Sequence, residues 1–138
     1  MQPKVHLIKL CVGTESVEAL EAWQAHTSAR NAAEGRPARP THVTRMWPKR
    51  ADEILEGGSL YWVFKGLVLS RQRIVAFDRR TGEDGIARCA IGLDPELTRT
   101  TPMPRRPFQG WRYLRPEDAP ADLVGDVGAD MPPILAAK

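Results

Sequence analysis

Two segments interleave cations with aromatic rings and carry no acid. In THVTRMWPKR, Arg45, Trp47, Lys49 and Arg50 fall within six positions. In RRPFQGWRYLR, Arg105, Arg106, Phe108, Gln109, Trp111, Arg112 and Tyr113 fall within nine. This mixture suits nucleic acid. Cationic heads meet phosphates and release counterions, ring faces stack unpaired bases, and Gln and Arg match base edges. The candidate anion- or nucleic-acid-binding set is Arg45, Trp47, Lys49, Arg50, Arg105, Arg106, Gln109, Trp111 and Arg112. On a strand, Arg45 and Trp47 share a face. Pro107 holds Arg106 extended, because the residue before proline avoids the helical region. A competing structural reading buries Trp47 and Trp111 and pairs the arginines with Glu117, Asp118 and Asp122. The expected partner is RNA or a modified nucleotide.

Other chemistry is poorly signalled. His6, His26 and His42 are scattered and neither Cys11 nor Cys89 sits in a C-x-x-C pair, so no metal is expected. Neither GxxxxGK[ST] nor GxGxxG occurs, so no phosphate loop and no cofactor are expected. Cys11 lies in a strand apolar on both faces, and Cys89 alternates with Ala87 and Ile91. Both read as inert core thiols. A second reading is a small hydrolase or other enzyme acting on an anionic, nucleotide-like metabolite. Its nearest acid and base groups are Glu53, Lys65 and Asp94, with no catalytic residue assigned. A third reading is a homodimeric protein-interaction domain using an apolar strand edge.

The elements that must position these residues come from 138 residues, the size of one domain of ~100–150 residues. The net charge of +3 hides a division. Residues 36–50 and 99–115 each hold five cations and no acid, whereas 117–130 hold five acids and no base. This predicts an α+β domain over 1–116 and an acidic, Pro-containing tail over 117–138, extended or partly disordered. No apolar stretch approaches the ~20 residues of a membrane span. The amino terminus lacks signal-peptide features, so the expected location is cytoplasmic.

Strands are predicted near 5–12, 41–47, 59–65, 67–79 and 86–93, with a short one at 108–114. Asp94-Pro95 is read as closing the strand before it. A helix is predicted over 16–33, with Val17, Leu20 and Trp23 as its apolar stripe and Gln24 facing water. A short helix follows Pro48 and ends at Gly57-Gly58. The run 59–79 is too long for one strand of ~3–10 residues, so it must bend or be two strands, and Gly66 marks the bend or bulge. The order points to an α+β fold with a curved, mainly antiparallel sheet and two flanking helices.

The phrases VHLIKLCVG, HVTRMWPKRADEILEGGSLYWVFKG, TGEDGIARCAIGLDPEL and RRPFQGWRYLRPEDAPADL resemble an uncharacterised bacterial family of the domain-of-unknown-function series, DUF1489. The resemblance spans nearly the whole chain and implies no activity. The order of short helix, Gly-Gly, bent β run, hairpin and late strand is similar to the pseudobarrel of the PUA-like superfamily, including its ASCH and EVE branches. That likeness implies a PUA-like pseudobarrel that binds RNA or modified bases. Some ASCH members are small hydrolases, but this sequence has no clean counterpart of their Thr/Lys/Glu set.

Overall fold

In the computed structural model, which describes residues 3–123, the chain runs β1 (His6–Leu10), α1 (Val17–Ala33), β2 (Thr41–Thr44), α2 (Ala51–Ile54), β3 (Ser59–Phe64), β4 (Leu67–Thr81), β5 (Ala87–Pro104) and β6 (Trp111–Leu114), then a 3-10 turn at Pro116–Asp118. The strands form one six-stranded sheet in the order β2-β5-β4-β3-β1-β6. β1 pairs with β3 in parallel, and the other neighbours are antiparallel. The fold is therefore α+β with a mixed sheet that does not close on itself, so the expected pseudobarrel is not established by the strand pairing.

Of the two forms open to the run 59–79, a bend or two strands, the structure has two strands, β3 and β4. Lys65 (φ +47°) and Gly66 (φ +85°) make a two-residue turn between the paired Phe64 and Leu67. Both turn positions need positive φ, which glycine adopts freely and lysine rarely does.

β5 runs eleven residues past its expected end at 93, to Pro104. Proline lacks the N–H that a ladder needs, which is why Asp94-Pro95 reads as a stop. Here Pro95 sits where the register jumps: Ile74 pairs with Leu93 and Gln72 with Leu97. One β4 residue thus faces three of β5, a bulge in which the missing N–H costs nothing. The bulge also satisfies itself. Asp94 Oδ1 accepts from Glu96 N at 2.9 Å, and Asp94 O accepts from Gln72 Nε2 at 2.8 Å. Register shifts also occur nearby, between Val68 and Ser70 and between Ile74 and Ala76, and such irregularities increase local twist.

The two faces of the sheet bury separate apolar clusters. One gathers Leu7, Leu60, Trp62, Ile74, Ile91 and Leu93 under Val17 and Leu20 of α1 and Ile54 of α2. The other is smaller, with Ile8, Tyr61, Val63, Val68 and Leu114 backed by Leu10, Met103 and Phe108. β1 lies between β3 and β6, and His6, Leu7 and Ile8 are all buried, as its two-sided apolar pattern predicts.

α1 spans Val17–Ala33, with Ser16 Oγ accepting from Ala19 N at 3.1 Å as an N-cap. Its buried face departs from the expected stripe. Trp23 is 55% exposed, while Gln24 and Asn31 are buried. Gln24 turns inward because β4 offers Gln72. The two amides bond reciprocally at 2.8 and 2.6 Å, and Gln72 Oε1 also accepts from Trp62 Nε1 at 3.1 Å. Every polar atom of the Gln72 amide is used, which removes the cost of burying it.

The start of the expected tail lies against the sheet. Asp122 bridges Thr100 in antiparallel fashion. Thr101 N donates to Ala121 O and Leu123 N to Arg99 O. The Arg71 guanidinium grips the Asp122 carboxylate with two bonds of 2.7 Å. The remainder of the tail, 124–138, lies outside the described residues.

Candidate nucleic-acid interface

β2 stops at Thr44, shorter than its expected reach to 47, and Met46 N donates to Thr44 Oγ1 at 3.2 Å. Arg45, Met46 and Trp47 then stand out from the surface, and Pro48 is buried as an anchor. This segment reaches the opposite edge of the sheet. Trp111 Nε1, on β6, donates to Met46 O at 2.9 Å. Arg50 N donates to Tyr113 Oη at 3.2 Å, and the Arg50 guanidinium lies 5.6 Å from the Tyr113 ring centroid. The chain leaving one edge strand is thus fastened to the other edge strand, and the two sequence-predicted segments meet.

They divide into two patches. Trp111 and Tyr113 occupy one face of β6, their rings edge to face at 5.0 Å. Arg112 alternates to the other face, with Leu114. There the guanidiniums of Arg112 and Arg105 lie 5.4 and 5.7 Å from the Phe108 ring centroid. Arg112 Nη1 also donates to Gln109 O at 2.8 Å. One patch therefore holds Arg45, Trp47, Lys49 and Arg50. The other holds Arg105, Phe108, Gln109 and Arg112, and strand β6 lies between them. Arg106 and Gln109 are exposed in the loop before that strand.

The two tryptophans differ in kind. Trp111 is 6% exposed and belongs to the core, so it positions the segment 45–50 and does not offer a ring face to solvent. Trp47 is 46% exposed. Arg50 is engaged by Glu53 through bonds of 2.8 and 3.1 Å. Among the described residues, Arg45, Lys49, Arg105, Arg106 and Arg112 form no ion pair. Glu117 and Asp118 pair with Arg115, and Asp122 pairs with Arg71. The three acids that the competing reading pairs with the candidate cations, Glu117, Asp118 and Asp122, are thus used elsewhere.

The acid and base groups do not assemble into a comparable site. Glu53 faces Arg50, Lys65 sits in a turn beside Glu15, and Asp94 lies in the β5 bulge. Burial pushes the Cys89 thiol up to about 11 and also raises Cys11, whose Sγ lies 2.7 Å from Thr14 Oγ1. Both thiols stay protonated at neutral pH, as inert core cysteines do. Among the described residues no three His, Cys, Asp or Glu side chains gather as metal ligands, and no helix is long and apolar enough to cross a membrane.

Sequence reasoning missed Lys9. It stands opposite Trp62 on β3 and Trp111 on β6, on the buried face of β1. Burial lowers its pKa, and its charge adds to the burial that brings His42 down to about 4. The alternation of Val5, Leu7 and Lys9 was the available signal, since it carries a cation onto a core face.

A family model described as "Protein of unknown function (DUF1489)" matches residues 7–138. No curated protein and no solved structure matches the chain.

Proposed function

The chain belongs to the DUF1489 family, whose description names no activity, and we propose from its own residues that it is a non-catalytic module binding single-stranded RNA or a modified nucleotide across the β6 edge. The observation that carries this reading is Trp47. Its ring is 46% exposed between two cations, Arg45 and Lys49, that have no carboxylate partner among the described residues. A large exposed ring among unpaired cations is costly to keep in water and useful for stacking a base beside its phosphate. In this reading Trp47 stacks a base, and Arg45 and Lys49 take adjacent phosphates. Arg105, Arg106 and Arg112 follow the strand over β6, and Gln109 contacts a base edge.

A PUA-like pseudobarrel fits the same reading. Its support is that the segment 45–50 reaches from β2 to β6 through the Trp111–Met46 bond, although the strands do not close. The proposal places the protein in the cytoplasm and needs no cofactor. A homodimer or an enzyme is the competing reading, and solution mass and turnover of added nucleotides separate them.

The test uses the intrinsic fluorescence of the full chain, titrated with a single-stranded RNA, the DNA of the same sequence and free nucleotides at ~50 mM salt, where phosphate contacts are strongest. Binding weakened by about 1–3 kcal/mol in Trp47→Ala, with the circular dichroism spectrum unchanged, supports the proposal. Absence of binding to all three ligands, or equal binding by folded Trp47→Ala, overturns it.

A further inference from the structure

The cation run of residues 36–50 is divided by β2, and its first half goes elsewhere. Arg36 and Arg39, ahead of the strand, line a concavity of about 360 Å³ together with Arg79 and Arg80 from the far end of β4. Nothing in the sequence joins these pairs, which are some 40 residues apart. The β4–β5 and β2–β5 pairings bring them together.

The charge there is not balanced. Arg39 reaches Asp78 at 3.5 Å and Arg36 pairs with Glu34. Among the described residues Arg80 has no ion pair, and Arg79, next to it, alternates to the sheet face of Cys89. Burial, followed by the charge of Arg36, lowers the pKa of Arg80, so the guanidiniums crowd one another. The wall is also built to hold one of them in place. Asn31, itself buried, donates from Nδ2 to Arg39 O at 2.8 Å and to Thr41 Oγ1 at 3.2 Å. Leu93 N donates to Pro40 O at 2.9 Å. Gly92 leaves the space that the Arg39 guanidinium fills: a Cβ at that position would lie 2.7 Å from Arg39 Nε. Fixing the backbone on both sides of Arg39 and laying its planar head against β5 pre-organises it for an anion.

We propose that this cavity binds a phosphomonoester or pyrophosphate group, carried by a free nucleotide or by the 5′ end of a strand. The guanidiniums of Arg36, Arg39 and Arg80 outnumber their carboxylates, Glu34 and Asp78, by one, and Asp78 is exposed and held by Arg39 only at 3.5 Å, a loose pair that a more highly charged anion than a phosphodiester displaces. A phosphomonoester carries about −1.5 to −2 at neutral pH, and forked guanidiniums match its oxygens two at a time. The size suits a phosphate with part of its ester, since small-molecule sites start near ~300 Å³. The site stands apart from Trp47 and does not depend on the RNA reading.

Titration calorimetry of the full chain with AMP, adenosine and inorganic pyrophosphate tests this. AMP binds at least about tenfold more tightly than adenosine if two charge-assisted bonds form, and pyrophosphate displaces it. Arg80→Ala and Gly92→Ala each remove most of that preference, whereas Arg73→Ala, an exposed cation elsewhere on β4, keeps it. Gly92→Ala is the decisive variant. Its Cβ meets only the flexible end of Arg39, so the fold persists while the guanidinium is displaced. A 5′-phosphorylated RNA hexamer is compared with its 5′-hydroxyl form. Preference for the phosphorylated strand beyond that for AMP assigns the group to a strand end, and no added preference assigns it to a free nucleotide. Equal affinity for AMP and adenosine, or folded Arg80→Ala and Gly92→Ala chains that bind AMP like wild type, overturns the proposal.

Discussion

Trp111 on the last strand hands its indole N–H to the backbone carbonyl of Met46, 65 residues earlier, at 2.9 Å. That bond joins the segment leaving one sheet edge to the strand forming the other. It makes Trp111 a positioning residue and leaves Trp47 as the ring free to meet a ligand. Trp111→Phe deletes the donor, leaving Met46 O without its partner, and trims a buried ring. The expected loss is about 1–3 kcal/mol of stability, with weaker RNA binding because the 45–50 segment loses its tether. Urea unfolding and RNA titration on the same sample check both effects.

Gln72 is the buried polar hub. Removing its amide strands Gln24, the Trp62 N–H and the Asp94 carbonyl together. Gln72→Leu is expected to cost about 2–4 kcal/mol, since each unpaired buried group costs ~1–3. The double variant Gln24→Leu/Gln72→Leu recovers part of that loss, because one stranded amide is removed. A double-mutant cycle by chemical denaturation measures the coupling.

His6 and His42 set the acid limit. Burial holds both imidazoles at about 4, helped by Arg71 for His6 and by Lys9 for His42, against 6.5 for free histidine. His6 Nδ1 accepts from Ser59 N at 2.9 Å, so the neutral ring carries its proton on Nε2. Below pH 6.5 the unfolded chain takes up protons that the folded chain refuses. Stability is therefore full above about 7 and falls as the pH drops from about 6.5 toward 4. Denaturation midpoints across that range, with imidazole shifts followed by NMR, check the sign and the window.

The strands of the hairpins, the helix of residues 16–33 and the two-sided first strand are legible in the sequence because each follows from local alternation, capping or turn chemistry. What escaped reading depended on residues far apart. Pro95 announces a strand end, yet a bulge lets the strand continue. Gln24 reads as surface until Gln72 arrives from 48 positions away. The Arg45–Trp47 and Arg105–Arg112 segments were legible as chemistry. Their separation onto two faces of β6 was fixed only by its register with β1. The grouping of Arg39 with Arg80 had no local signal, since it is produced by the pairing of β2, β5 and β4.

The start of the acidic tail is held by the sheet. The amides of Thr101 and Leu123 donate to Ala121 O and Arg99 O. Hydrogen exchange is expected to be slow at both amides, and faster in Asp122→Ala, which loses the grip of Arg71. Rapid exchange at Thr101 in the wild type would show that this segment is not docked.

The most direct measurement is the salt dependence of single-stranded RNA affinity between roughly 50 and 500 mM salt, for wild type, Arg45→Ala and Trp47→Ala. Each phosphate contact contributes a slope of about −0.7 in log affinity against log salt. With at least three cations engaged, the wild-type slope is about −2 or steeper. Arg45→Ala reduces that slope by about 0.7. Trp47→Ala keeps the slope and loses about 1–3 kcal/mol of affinity. RNA affinity that does not change with salt, or that is the same in all three folded proteins, would contradict the assignment of this surface.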